Sequence, residues 1–141
     1  MNQLTVTEYN LSTRAAAQLC STAMTYAEQQ GIAICIVIVC RAGHTLASMR
    51  MNHAPLVSTD LALKKAYTAV SFKQNTHDWQ SKLANKPHTL VALQSEPMFT
   101  YLGGGLPIFI EQQLVGAIGV SGGNEQQDIE CAQAAISTLL S

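Results

Sequence analysis

Between Ser58 and Phe72, the residues Leu61, Lys65, Thr68 and Phe72 recur at three- and four-residue spacing, so a helix there sets a lysine among apolar neighbours. Such an amine either reaches water along its aliphatic stem or stands partly desolvated at a pocket rim, open to a ligand carboxylate. Arg50 and Met51 close the preceding strand pattern and offer a second cation beside a soft apolar side chain. Four histidines, His44, His53, His77 and His88, fall in or near turns. None is spaced from another as zinc ligands are, so no metal site is expected, although one imidazole suffices as an axial ligand of haem. The stretch GVSGG gives Ser121 the neighbours of a nucleophile elbow, but not the parallel-sheet setting that motif needs.

Two glycine clusters could approach a ligand closely. GAIGVSGG, Gly116 to Gly123, has neither the lysine of a P-loop nor the Gly-x-Gly-x-x-Gly spacing of a dinucleotide site. Asn124 follows as a helix N-cap, with Glu125 and Asp128 in the first turn, where carboxylates favour the helix dipole and repel a phosphate. The stretch therefore reads as a strand-to-helix turn whose missing side chains allow close packing. GGGLP, Gly103 to Pro107, supports two readings: a flexible hairpin loop, or a bend whose bare amides admit a planar or anionic ligand.

The elements that must position these groups follow from periodicity. Ala16, Leu19, Cys20, Ala23 and Ala27 share one face of a helix starting near Ser12 and stopped by Gly31. IAICIVIVC, Ile32 to Cys40, reads as a strand buried on both faces, and Thr45 to Met51 as its hairpin return. Ser58 or Thr59 can cap the lysine-bearing helix, with Asp60 and Lys64 spaced for a helical ion pair. Thr76 can cap a shorter helix before Pro87 interrupts. MFTYL, PIFIE and LVGAIGV read as three further strands, the last two closed at Gln112-Gln113, and a helix runs from about Glu125. Hairpin links predict an antiparallel sheet with helices packed on it.

The 141 residues suit one domain, residues 1–141, with residues 1–10 as a loose or strand-like arm. Charged residues make up 12% of the chain against roughly 25% in average proteins, which leads us to expect a homo-oligomer that covers some neutral surface. A net charge of −1 argues against nucleic acid, and no apolar run or signal pattern argues for a membrane, so a cytoplasmic protein is expected. Four cysteines form no C-x-x-C pair and read as reduced. Residues 41–86 hold seven basic and two acidic side chains, whereas residues 87–141 hold five acids and no lysine or arginine, so the middle of the chain could attract an anion.

Three stretches in order, RMNHAPLVSTDLALKKAYTA, GGGLPI and LVGAIGVSGGNEQQD, resemble the haem-degrading, GlcG-like (HbpS-like, DUF336) family, which includes the carboxy-terminal domain of the propanediol-utilisation cobalamin adenosyltransferase. The resemblance covers about residues 11 to 141. It implies an α/β (α+β) profilin-like or Roadblock-like domain with a five-stranded antiparallel sheet, oligomers, and haem or a corrinoid as ligand for some members. Its Lys-Ala-x-Thr-Ala falls on Lys65, Ala66, Thr68 and Ala69. Two of the family's acids are replaced here by Cys40 and Asn52, and a glycine by His53, and the loss of both acids weakens an enzymatic reading.

The expected function is an oligomeric small-molecule-binding protein with an accessory role in glycolate, glycerol or diol metabolism. Its pocket would be formed by Arg50, Met51, His53, Lys65, Thr68, Gly103, Gly104 and Gly105 and would take an anionic or planar ligand such as haem or a corrinoid. The alternatives are an enzyme acting on a small hydroxy acid or aldehyde, with Lys65 or His53 as base or electrophile, and a protein-binding accessory subunit.

Overall fold

A computed structural model describes residues 3–141. Helix α1, Thr13–Gln30, opens where the Ser12 side chain accepts from Ala15 N and ends at Gly31 in the left-handed conformation, φ 71°. Strands β1, Cys35–Cys40, and β2, Thr45–Arg50, form the expected hairpin. Helix α2 spans Ser58–Phe72; its N-cap is Val57, with no side-chain cap from Ser58 or Thr59, and Asp60 makes no ion pair with Lys64 among the described residues. A 3-10 turn, Thr76–Asp78, leads into the short α3, Trp79–Leu83. Strands β3, Gly105–Ile110, and β4, Gln113–Ser121, and helix α5, Glu125–Leu140, complete the chain.

Among the described residues the sheet has four strands, not five, in the order β2-β1-β4-β3, antiparallel throughout. The difference lies before β3. Pro87, read as an interruption, instead starts helix α4, Pro87–Gln94, at a position where a missing N–H costs nothing. MFTYL then pairs with no strand among the described residues. Its backbone is held by a helix side chain: Thr68 Oγ1 donates to Met98 O at 3.1 Å and accepts from Thr100 N at 3.0 Å. The β3–β4 turn also falls one residue earlier than expected, at Glu111 and Gln112, with φ 51° and 67°, the two positive values of a type I′ hairpin.

β1 explains the layering. Ile36 and Ile38 face the core beneath α1 and α5, whereas Cys35, Val37 and Val39 face α2 through Ala62, Ala66 and Ala69. All six residues are buried, as the unbroken β-branched run requires of a central strand. The alanines let α2 lie close on the sheet, and Gly119 of β4 lets it lie closer. A Cβ at Gly119 would sit 2.0 Å from Ala62 O. The glycines of GAIGVSGG are thus packing residues; Gly116 likewise meets Val39 O, at 2.3 Å from a would-be Cβ.

Candidate functional site

Lys65 projects from the sheet-facing side of α2 and is 2% exposed. Its amine neither reaches water nor faces a cleft: Nζ donates to Val120 O at 2.9 Å and to Asp128 Oδ2 at 3.1 Å. Asp128, in the first turn of α5, is equally buried, and its Oδ1 accepts from Gly123 N at 2.9 Å. The backbone N–H of Gly122 also faces this carboxylate. The strand-to-helix turn that could have cradled a phosphate therefore cradles an anion of its own. Burial pulls the Lys65 pKa down and pushes that of Asp128 up, while their mutual attraction opposes both shifts. The clip joins α2, β4 and α5.

The triple glycine lies beside this clip. A Cβ on Gly104, φ 128°, would stand 3.0 Å from Lys65 Nζ and 2.4 Å from Val120 O, and one on Gly105 would stand 2.3 Å from Lys65 O. A Cβ on Gly103 would meet Ile129 Cδ1 at 2.8 Å. Two of the amides are already engaged, Gly103 N with Glu125 Oε1 at 2.7 Å and Gly105 N with Thr76 Oγ1 at 3.0 Å. Close approach is what these glycines supply, and here the helices make it.

The structure brings Lys65, Gly104 and Gly105 together, with Thr68 one turn along α2, but not Arg50, Met51 and His53. Arg50, Cys35 and Ser121 lie in one row across the sheet, and β3 is the next strand beyond. At about 4.8 Å per strand this leaves Arg50 roughly 14 Å from the triple-glycine edge. Arg50 borders a cavity of only about 40 Å³ with Cys35 and Thr59. Met51 turns its sulfur inward to accept from Ile34 N at 3.4 Å, and His53 is exposed in a left-handed turn, φ 72°. Ser121 is buried, with no histidine partner among the described residues.

Thr68 faces both ways. Beneath the segment it anchors, a cleft of about 390 Å³ opens between the C-terminal half of α2 and residues 93–99, lined chiefly by Tyr67, Thr68, Phe72, Glu96, Met98 and Phe99. Phe72 and Phe99 meet edge to face at 6.1 Å, and Trp79 packs on both, at 4.9 and 5.4 Å. Tyr67 and Phe72 nevertheless remain 39% and 44% exposed. The sequence signal for this site was thin. Tyr67 stands one turn after Lys64 on the outer side of α2, but Met98 and Phe99 belong to MFTYL, whose composition predicts a strand. A wider depression of about 470 Å³, between Tyr9, Asn10 and the β3–β4 turn, has no comparable aromatic wall.

An α+β domain with a four-stranded antiparallel sheet between a helix pair and α2, and an aromatic cleft at the end of α2, is the class these features define. Residues 11–137 match the family model of the haem-degrading protein HbpS-like, and the chain belongs to that family. It is 36% identical over 132 residues to the corrinoid adenosyltransferase PduO of Citrobacter freundii, a match covering 92% of this chain and 39% of the relative, so it spans about two fifths of that protein. Among solved structures it is similar to ORFY of Klebsiella pneumoniae, with a TM-score of 0.91 and 33% identity over 100% of this chain and 97% of that one. It is also similar to PduOC in its haem complex, with a TM-score of 0.81 and 32% identity over 91% and 94% of the two chains.

Proposed function

We propose that the protein is a self-associating binder of a tetrapyrrole, haem or a corrinoid, and that the aromatic cleft beside α2 receives it. The observation that carries this reading is the cleft's composition. Ligand sites are concave, largely apolar and of about 300–1,000 Å³, and the cleft's 390 Å³ is walled by two phenylalanines, a tyrosine and a methionine whose rings and thioether suit the face of a macrocycle. Met98 and Tyr67 are residue types that ligate haem iron, and Lys64, one turn before Tyr67 on the same side of α2, offers a cation to a propionate. Glu96 disfavours a carboxylate at its own end of the cleft and so orients the acidic edge toward Lys64. When bound, the group would bring its own metal chemistry; the chain supplies apolar cover, orientation and charge. The matched haem complex of PduOC and the relationship to a corrinoid adenosyltransferase support the ligand class. The low charged fraction of 12% supports self-association.

Trp79, the only tryptophan, packs against the two phenylalanines of the cleft and provides the readout. Haemin, and in a separate arm hydroxocobalamin, should saturate at micromolar concentration, quench Trp79 emission and shift the ligand's visible spectrum. Met98→Ala should alter the Soret band, and Phe72→Ala should weaken binding about tenfold or more. Absence of saturable binding in both arms, or binding indifferent to both substitutions, would overturn the assignment.

A further inference from the structure

We infer that residues 3–7 of one copy dock along the open edge of β2 in a second copy. The chain carries a strand donor and a strand acceptor that do not meet within one molecule. The donor is the amino-terminal arm. From Thr5 to Ser12 it makes no turn, helix or strand, and no backbone group of residues 3–10 has a hydrogen-bond partner among the described residues. Its root is nevertheless fixed: Leu11 N donates to Val115 O at 3.1 Å, Arg41 N donates to Asn10 Oδ1 at 2.8 Å, and Arg41 pairs with Glu8 at 3.0 Å. Beyond that root the β-branched sequence LTVT sets apolar residues at every second position, and Leu4 and Val6 are 88% and 86% exposed.

Among the described residues the sheet has two edges, and that of β2 is the more open. On β3 the outer side is blunted: Gly105 N is taken by Thr76, and Pro107 has no N–H to give. On β2, Thr45–Arg50 contains neither proline nor glycine; a register shift at Leu46 disturbs its first residues but leaves Ala47–Arg50 in regular register, and its outer backbone groups have no partner among the described residues. Leu46, Ala47 and Met49, packed against the core beneath α1, are left half-buried because no strand follows. An added strand with apolar side chains at alternate positions satisfies that edge and finishes that cover. Leu4 and Val6 have the required spacing, and residues 3–7 can pair along most of the six-residue β2.

The inference rests on the self-association proposed above, and light scattering separates the two. A wild-type chain that runs as a single 15.1 kDa species overturns both. If the wild type is larger, Leu4→Asp/Val6→Asp should reduce the mass without changing the melting curve, since both side chains are exposed, and an unchanged mass overturns the arm alone. The second measurement fixes the acceptor. All four native cysteines are buried, so mixing Val6→Cys protein with Met49→Cys protein under mild oxidation should give a crosslinked pair containing one of each. No mixed pair, or Met49→Cys protein that crosslinks to itself as direct β2–β2 pairing requires, overturns the proposal.

Discussion

The Lys65–Asp128 clip shows what a single residue's spacing can and cannot reveal. Helical periodicity placed a lysine among apolar neighbours, and the charge imbalance between residues 41–86 and 87–141 pointed to a bound anion, whereas the anion that Lys65 meets is the chain's own Asp128. What periodicity could not supply was the partner, because a contact across 63 positions depends on how α5 folds back over β4. Two charges at 2% exposure have lost most of their hydration, and their attraction, with the Val120 carbonyl and the Gly123 amide, restores much of that cost. Removing one partner leaves the other buried and uncompensated. Lys65→Met alone should therefore lower stability by about 3–5 kcal/mol in urea denaturation. Lys65→Met/Asp128→Asn keeps an oxygen for Gly123 N and removes both charges, so it should recover more than half of that loss. A double variant as unstable as the sum of its single changes would show that the two residues act separately.

At the scale of elements, α1, β1, β2, α2 and α5 were legible because each carries a long pattern with one reading: a 3.6-residue face, or an unbroken β-branched run bounded by glycine. The stretch between α2 and β3 was not. α4 buries none of its residues, so its sequence has no face to display, and MFTYL has strand composition but gives its backbone bonds to Thr68. The cleft was missed for the same reason, since half its wall comes from this segment. Glycine meaning was half legible. That Gly119 serves packing could be read, but the element it admits could not. A methyl group there would enter the van der Waals shell of α2 backbone, which cannot move without lifting the whole helix from β1 and β4. Gly119→Ala should cost at least about 3 kcal/mol, the upper range for an overpacked core. Gly31→Ala is the contrast. Nothing lies within 4 Å of its Cβ position, so only the left-handed φ of 71° opposes it, at about 1–2 kcal/mol. Equal losses at the two sites would mean that α2 yields.

For the molecule as a whole, two of the four cysteines, Cys20 and Cys131, make stability sensitive to base. Each is free and buried, in agreement with reading them as small hydrophobes, and burial pushes the thiols of Cys20 and Cys131 up to about 11, with Asp128 and Glu130 adding to the shift at Cys131. In the unfolded chain both thiols ionise near their ordinary value of 9.0. Below that pH neither state is ionised and the contribution to stability is whole. Between 9 and 11 the unfolded chain releases protons that the folded chain retains, so stability falls as pH rises, by about 2–3 kcal/mol for each thiol across the window. Lys65 acts in the opposite sense. Its folded pKa lies below 10.5, so the folded chain gives up that proton first and gains stability as pH climbs toward 10.5. The thiol effect is therefore read as a difference. Urea unfolding of the wild type should weaken more steeply from pH 8.5 to 10.5 than that of Cys20→Ala/Cys131→Ala, which keeps Lys65 and Asp128 in place and starts lower because two small cavities replace the sulfurs. Parallel pH profiles would mean that the core admits hydroxide at these thiols or that they ionise alike in both states.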